Sequence, residues 1–284
     1  MKFISILFVF LFPFFANSQS PVFYIYNENY NPIKFASILN ENTKIYTYSN
    51  ESGVFRIEVN EGDTLILSHV NYETLRLNGI SRDGMRDTLF LKEKANYLDE
   101  VIVRPTKRES FQFGNITKKE SQYALTLNTS YAFEIEIPKK LNGYLSSVEI
   151  PINSKRRYSN EGFLVIQLYR IFDQDYGFKE PIGSIKYFEI EDLKKENSIE
   201  FHVGVELEKD LENLFLYVNR IVPDKVFDER DEKLSVNPLF YYKNNNSDLN
   251  GFMNYVLFDG WYSLEKWFEN VPIIDIRLNI ESTE

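Results

Sequence analysis

The chain has 284 residues, 32 basic against 42 acidic side chains, a formal net charge of -10 and no cysteine. Lack of cysteine excludes disulfides, thiolate metal sites, a cysteine nucleophile and a lipid-modified cysteine anchor, and the negative balance argues against nucleic acid or anionic lipid as main partner, since phosphate binding needs clustered Lys and Arg. A composition that is 43% apolar and 16% aromatic, with 24 Phe and 19 Tyr, excludes wholesale disorder and favours strands over helices.

Residues 1–20 read MKFISILFVFLFPFFANSQS, with Lys2 as the sole charge, an apolar run over 3–15, and the small residues Ala16 and Ser18 at a cleavage site. This pattern predicts a secretory signal over 1–18, cut between Ser18 and Gln19. The apolar run is shorter than the ~20 residues a helix needs to cross a bilayer. Loss of Lys2 takes the mature charge from -10 to -11. No later segment is apolar for long enough to span, so the expected product is exported to the periplasm or cell surface without a transmembrane span in the mature chain.

From Pro21 the residues alternate with period two between turn clusters, predicting strands at 22–26, 33–39, 46–48, 54–59, 64–70 and 88–91. Short strands at this spacing across residues 21–104 predict a β-sandwich. Ser49-Asn50-Glu51-Ser52-Gly53 is a turn whose side chains bond their own backbone, and Asn60-Glu61-Gly62-Asp63 is another.

The stretch from Tyr48 to Ile57, then Gly62-Asp63-Thr64-Leu65 running on to Asn71-Tyr72, resembles the carboxypeptidase regulatory-like domain common in Bacteroidetes proteins, a transthyretin-like sandwich. Ser49-Asn50 stands where that family usually has Thr-Asp, and Asn71 where it has Gly before Tyr72. Neither change is disruptive, since Asn tolerates the left-handed region nearly as well as Gly. The closing Leu98-Asp99-Glu100-Val101-Ile102-Val103 resembles the family's last strand. The resemblance implies a non-catalytic module beside some other functional part.

Residues 105–121 are basic and polar with little periodicity and read as a linker. Beyond it, strands are predicted at 122–127, 131–137, 144–152, 163–172, 182–190, 198–203, 214–221, 239–243, 254–257 and 273–280. The expected fold class is therefore all-β: the transthyretin-like sandwich followed by a jelly-roll-like β-sandwich over 122–284. Phe163 to Asp173 with Pro181-Ile182-Gly183 resembles a carbohydrate-binding-module-like sandwich of unknown function that accompanies the same first domain elsewhere.

Catalytic signatures are sparse. His69 and His202 are the two histidines and fall in strands of different domains, which argues against a hydrolase triad or a multi-histidine zinc site. No Gly-x-Ser-x-Gly, His-Glu-x-x-His or phosphate-cradling loop occurs. Asp173-x-Asp175 before Gly177 fits either a calcium site or a hairpin turn whose aspartates bond their own backbone; otherwise no cofactor is expected. Trp261, Tyr262 and Trp267, after a polar stretch ending at Asn250, fit sugar stacking with amide hydrogen bonding, or else core packing. The leading expectation is a non-enzymatic cell-envelope protein that binds a glycan or a protein partner. The alternatives are a polysaccharide hydrolase built on a carboxylate pair and a structural accessory that docks by strand addition.

Overall fold

The computed structural model describes residues 20–80, 87–94, 108–113, 122–126, 129–137, 143–154, 161–175, 177–207, 211–228, 235–244, 251–255, 260–266 and 272–283. The signal segment, the closing stretch 98–103, Asn250 and Trp267 lie outside the described residues. The first domain contains β1 (Val22–Asn27), β2 (Ser37–Asn40), β3 (Ile45–Tyr48), β4 (Val54–Arg56), β5 (Leu65–His69), β6 (Tyr72–Leu77) and β7 (Thr88–Leu91). The remainder contains β8 (Arg108–Phe113), β9 (Gln122–Thr126), β10 (Thr129–Glu136), β11 (Gly143–Asn153), β12 (Phe163–Asp173), β13 (Gly177–Glu189) and β14 (Ser198–Leu207). It continues with β15 (Asn213–Ile221), β16 (Ser235–Asn244), β17 (Gly251–Tyr255), β18 (Tyr262–Ser263), β19 (Pro272–Ile274) and β20 (Arg277–Thr283). The fold is all-β, as expected, and no described helix is long and apolar enough to cross a membrane.

In the first domain a three-stranded sheet, β4-β1-β7, faces a four-stranded sheet, β3-β2-β5-β6. Phe23, Ile25, Ile38, Phe55, Leu65 and Leu67 fill the space between them. Local polar bonds set the turns. Asn50 Oδ1 accepts from the backbone N–H of Ser52 and of Val54, both at 3.0 Å, so it forms the side-chain-closed turn expected of it. At Gly53 (φ +71°) an added Cβ would lie 2.5 Å from the Ile25 carbonyl oxygen, which restricts the position to glycine. Asn71, by contrast, does not take the left-handed conformation.

The second domain pairs a six-stranded sheet, β13-β12-β15-β10-β17-β18, with a seven-stranded one, β19-β16-β11-β20-β8, to which β14 adds on β11 and β9 on β16. Their facing sides supply most of the larger core, including Tyr131, Phe133, Leu145, Val148, Leu164 and Leu216. A bulge between Ile166 and Leu168 is stitched by buried Gln167, whose Nε2 donates to the carbonyls of Ile182 and Gly183 at 3.1 and 3.0 Å.

Part of the stretch read as a linker is instead sheet. Arg108–Phe113 pairs antiparallel with β20 from Phe113↔Leu278 to Arg108↔Thr283. The alternation in Ser110-Phe111-Gln112-Phe113 is real strand patterning, masked in the sequence by the charged residues around it.

The two domains share a core. Within the four-stranded sheet, Ile38 points into the first domain's own interior while Leu39, Tyr46 and Tyr48 join the larger core of the second. The sheet is thus buried on both faces, which alternation along a strand permits. Phe35 lies 4.7 Å from Phe163 and 5.0 Å from Tyr187, ring centre to ring centre. Tyr46 and Phe227 stack at 5.4 Å and exchange two backbone hydrogen bonds of 3.0 and 2.8 Å, so the segment after β15 covers the free edge of β3. Tyr169 Oη donates to Asn71 Oδ1 at 3.0 Å across the same seam.

Candidate functional site

Where two sheets meet face to face, both surfaces are normally apolar. Here part of the seam is polar and open, forming a cleft of about 320 Å³. On the first-domain side, Ser37 stands opposite Tyr48 on β3 and opposite Ser68 on β5, a polar row across three strands. On the second-domain side, Ser130 stands opposite Asn219 on β15 and opposite Asn254 on β17, and that row also lines the cleft. Register alone places both rows, because residues paired across a ladder share a face.

At the heart of the cleft Tyr48 is 1% exposed and Asn219 is 6% exposed. Tyr48 Oη and Asn219 Oδ1 are buried without a hydrogen-bond partner among the described residues. Asn219 is near enough to Tyr48 and Tyr217 to favour their ionised forms, yet its placement completes no bond to the Tyr48 hydroxyl. Burial dominates, with Tyr46 and Tyr217 adding to it at Tyr48, and holds the Tyr48 phenol well above its ordinary pKa. Tyr217 Oη is 3.2 Å from Ser130 Oγ. Orphaned buried polar atoms cost roughly 1–3 kcal/mol each, so native structures keep few of them.

The hairpin between β12 and β13 closes one end. Half-buried Trp261 sits edge-on to Phe172 and Phe178, both at 5.1 Å. Gly177 takes a left-handed backbone (φ +75°) beside the indole, and a Cβ there would be in ordinary contact with Trp261 Nε1, at 3.5 Å. Asn254 Nδ2 donates to the Gly260 carbonyl at 2.6 Å and so anchors the turn that carries Trp261. At the opposite rim Lys34 Nζ lies 4.3 Å from the centre of the Tyr187 ring.

His69 and Lys94 belong to the first-domain wall. His69 Nδ1 accepts from the Asn71 N–H at 3.2 Å, which leaves the proton on Nε2. Protein packed around the cleft, then the Lys94 charge, push its pKa down to about 3, although part of the residue still meets solvent. The unfolded chain therefore takes up a proton near the ordinary value of 6.5 that the folded chain refuses until about 3. Stability should fall as pH drops through that window. In urea unfolding near pH 8 and near pH 5, the loss should be larger for the native chain than for His69→Gln by about 1 kcal/mol, the full linkage value being reduced for the solvent at the ring. Equal losses in the two proteins would refute it.

The residues singled out from sequence are only partly brought together. Trp261 and Asp175 line the cleft. Tyr262 is half-buried in β18, opposite Met253. Asp173 Oδ1 accepts from the Asp175 N–H at 2.8 Å, the hydrogen bond of the hairpin-turn reading. Among the described residues no group of three or more His, Asp or Glu gathers to hold a metal ion. His202 is exposed on β14 and is not among the residues that line the cleft. Tyr48, Asn219, Ser130 and Lys94 carry no signal in sequence, since only the ladders and the seam bring them together.

These sheets and their polar seam define a two-sandwich protein with a cleft between its domains. Residues 24–103 match the CarboxypepD_reg-like domain family, so the first sandwich is a CarboxypepD_reg-like domain, of a β-sandwich family without enzymatic activity in itself. No curated protein matches the chain.

Proposed function

We propose that the chain is an exported, non-catalytic cell-envelope protein of a Bacteroidetes-like bacterium, and that it holds a glycan end in the seam cleft. The observation that carries this reading is the pair of facing polar rows, Tyr48-Ser37-Ser68 and Asn254-Ser130-Asn219, set in a seam that packing alone would make apolar. Hydroxyl and amide groups in rows match the ring hydroxyls of a sugar, and the rims at Trp261 and Tyr187 offer flat faces to its C–H groups. Binding is favoured over hydrolysis because Asp175 is the one carboxylate among the described lining residues, whereas glycoside hydrolysis ordinarily uses two.

Titration of the full chain with a panel of free mono- and disaccharides, followed by tryptophan fluorescence and by calorimetry, tests this. Asn219→Ala should weaken binding by roughly tenfold or more, the scale of a hydrogen bond lost in a buried site, and Trp261→Ala should remove most of the fluorescence change. Affinity indifferent to both substitutions in folded protein would rule the cleft out.

A protein partner remains the second reading, favoured by a different surface. On the outer face of the three-stranded sheet Tyr30 and Phe90 meet edge-to-face at 5.3 Å, and Tyr30 is 74% exposed.

A further inference from the structure

The two walls of the cleft differ in charge. Among the described lining residues the first domain contributes one cation, Lys94, and no acid, in a chain whose acids outnumber its bases 42 to 32. Lys94 Nζ donates to the Val70 carbonyl at 3.1 Å, which uses one of its three N–H groups, and it forms no ion pair among the described residues. Burial lowers its pKa, the sign of an ammonium held partly out of water without a compensating anion. His69 lies beside it, turned by its bond from Asn71 so that Nε2 is the donor. Ser37 and Ser68 add hydroxyl donors on the same wall.

A wall of donors around a half-desolvated ammonium is arranged for a carboxylate, because a charge-assisted hydrogen bond offsets the desolvation that a neutral hydroxyl leaves in place. The second wall has Asn219, whose buried Oδ1 is an acceptor without a partner among the described residues, and Tyr48, with its own unpartnered buried hydroxyl, lines the same cleft from the first. We propose that the cleft selects an acidic sugar, a hexuronic acid residue. Its carboxylate is held by Lys94 with His69 Nε2–H beside it, and its ring hydroxyls meet Tyr48 and Asn219. This rests on the cleft being the glycan site and deepens that reading by assigning the class of sugar.

The experiment is calorimetric titration of the full chain with D-glucuronate against D-glucose, and D-galacturonate against D-galactose, as methyl glycosides. At least one uronate should bind roughly tenfold or more tightly than its neutral counterpart, the scale of a hydrogen bond to a charged group. Lys94→Met should cancel that preference, bringing the uronate-to-neutral affinity ratio close to one. Neutral sugars bound as tightly as uronates, with Asn219→Ala still harmful, would overturn the acidic-sugar assignment and leave the cleft reading standing. No binding of any of the four would overturn both. The native uronate-to-neutral ratio decides the question even if Lys94→Met does not fold.

Discussion

Phe227→Ala is expected to lower the stability of the chain by about 3–4 kcal/mol, the usual cost of truncating a buried phenylalanine, and to do so for both domains at once. Phe227 is 1% exposed and stacks on Tyr46, which is fully buried. Its backbone is pinned to Tyr46 by two hydrogen bonds, and Thr47 Oγ1 donates to the neighbouring Lys225 carbonyl at 2.9 Å. The segment therefore cannot collapse inward to fill the hole, which places the cost high in the observed range. Because Tyr46, Tyr48, Leu39 and Phe35 share one core with the second domain, the loss should appear as a shift of a single cooperative transition. Urea unfolding followed by near- and far-ultraviolet circular dichroism is the check. Two separate transitions, with the first-domain one unmoved, would show that the shared core does not couple the domains.

Gly162→Ala should be at least as damaging. Gly162 precedes β12 with φ +87°, and an added Cβ would lie 2.0 Å from the Ile221 carbonyl oxygen and 2.9 Å from Val222 Cγ2. Its own carbonyl accepts from the Ile190 N–H at 3.0 Å, so it is tied on another side as well. The left-handed backbone alone costs about 1–2 kcal/mol for alanine, and moving a strand-end carbonyl aside brings the expected total above ~3 kcal/mol. Gly62→Ala is the control: its φ is +85°, yet nothing lies within 4 Å of the added atom, so only the backbone strain should appear. The difference between the two in thermal unfolding isolates the clash. A Gly162→Ala protein as stable as Gly62→Ala would contradict the close approach of Gly162 to Ile221.

Much of this architecture is legible in the residues, and the exceptions have physical causes. β1 and β7, short apolar runs bounded by turn residues whose burial alternates along the strand, were predicted close to their observed bounds. β6 was not predicted, because its apolar residues Tyr72, Leu75 and Leu77 are only half-buried against the core and do not keep a strict period of two. β13 was expected to begin after Pro181, yet the strand runs from Gly177 through that proline, which an edge strand tolerates. β8 was obscured by flanking charge.

The cleft was barely legible. Trp261 stood out as one of only two tryptophans, but its partners Tyr48, Ser130 and Asn219 are ordinary strand residues whose meeting depends on register and on the seam. Nor did the sequence distinguish Tyr46 and Tyr48 from residues of an outward face. Their alternation with Ile45 and Thr47 reads identically whether the face meets water or another domain.

β20 lies between β11 and β8, so the seven-stranded sheet is in two pieces until synthesis has passed Thr283. β8, made early, waits through the 163 residues between Phe113 and Arg277 for the strand it pairs with. Its unpaired backbone is meanwhile an open edge, and pairings so distant in sequence form slowly. The second domain can therefore close only once β20 has been made, and a nascent chain stalled before Arg277 would be a ready seed for aggregation.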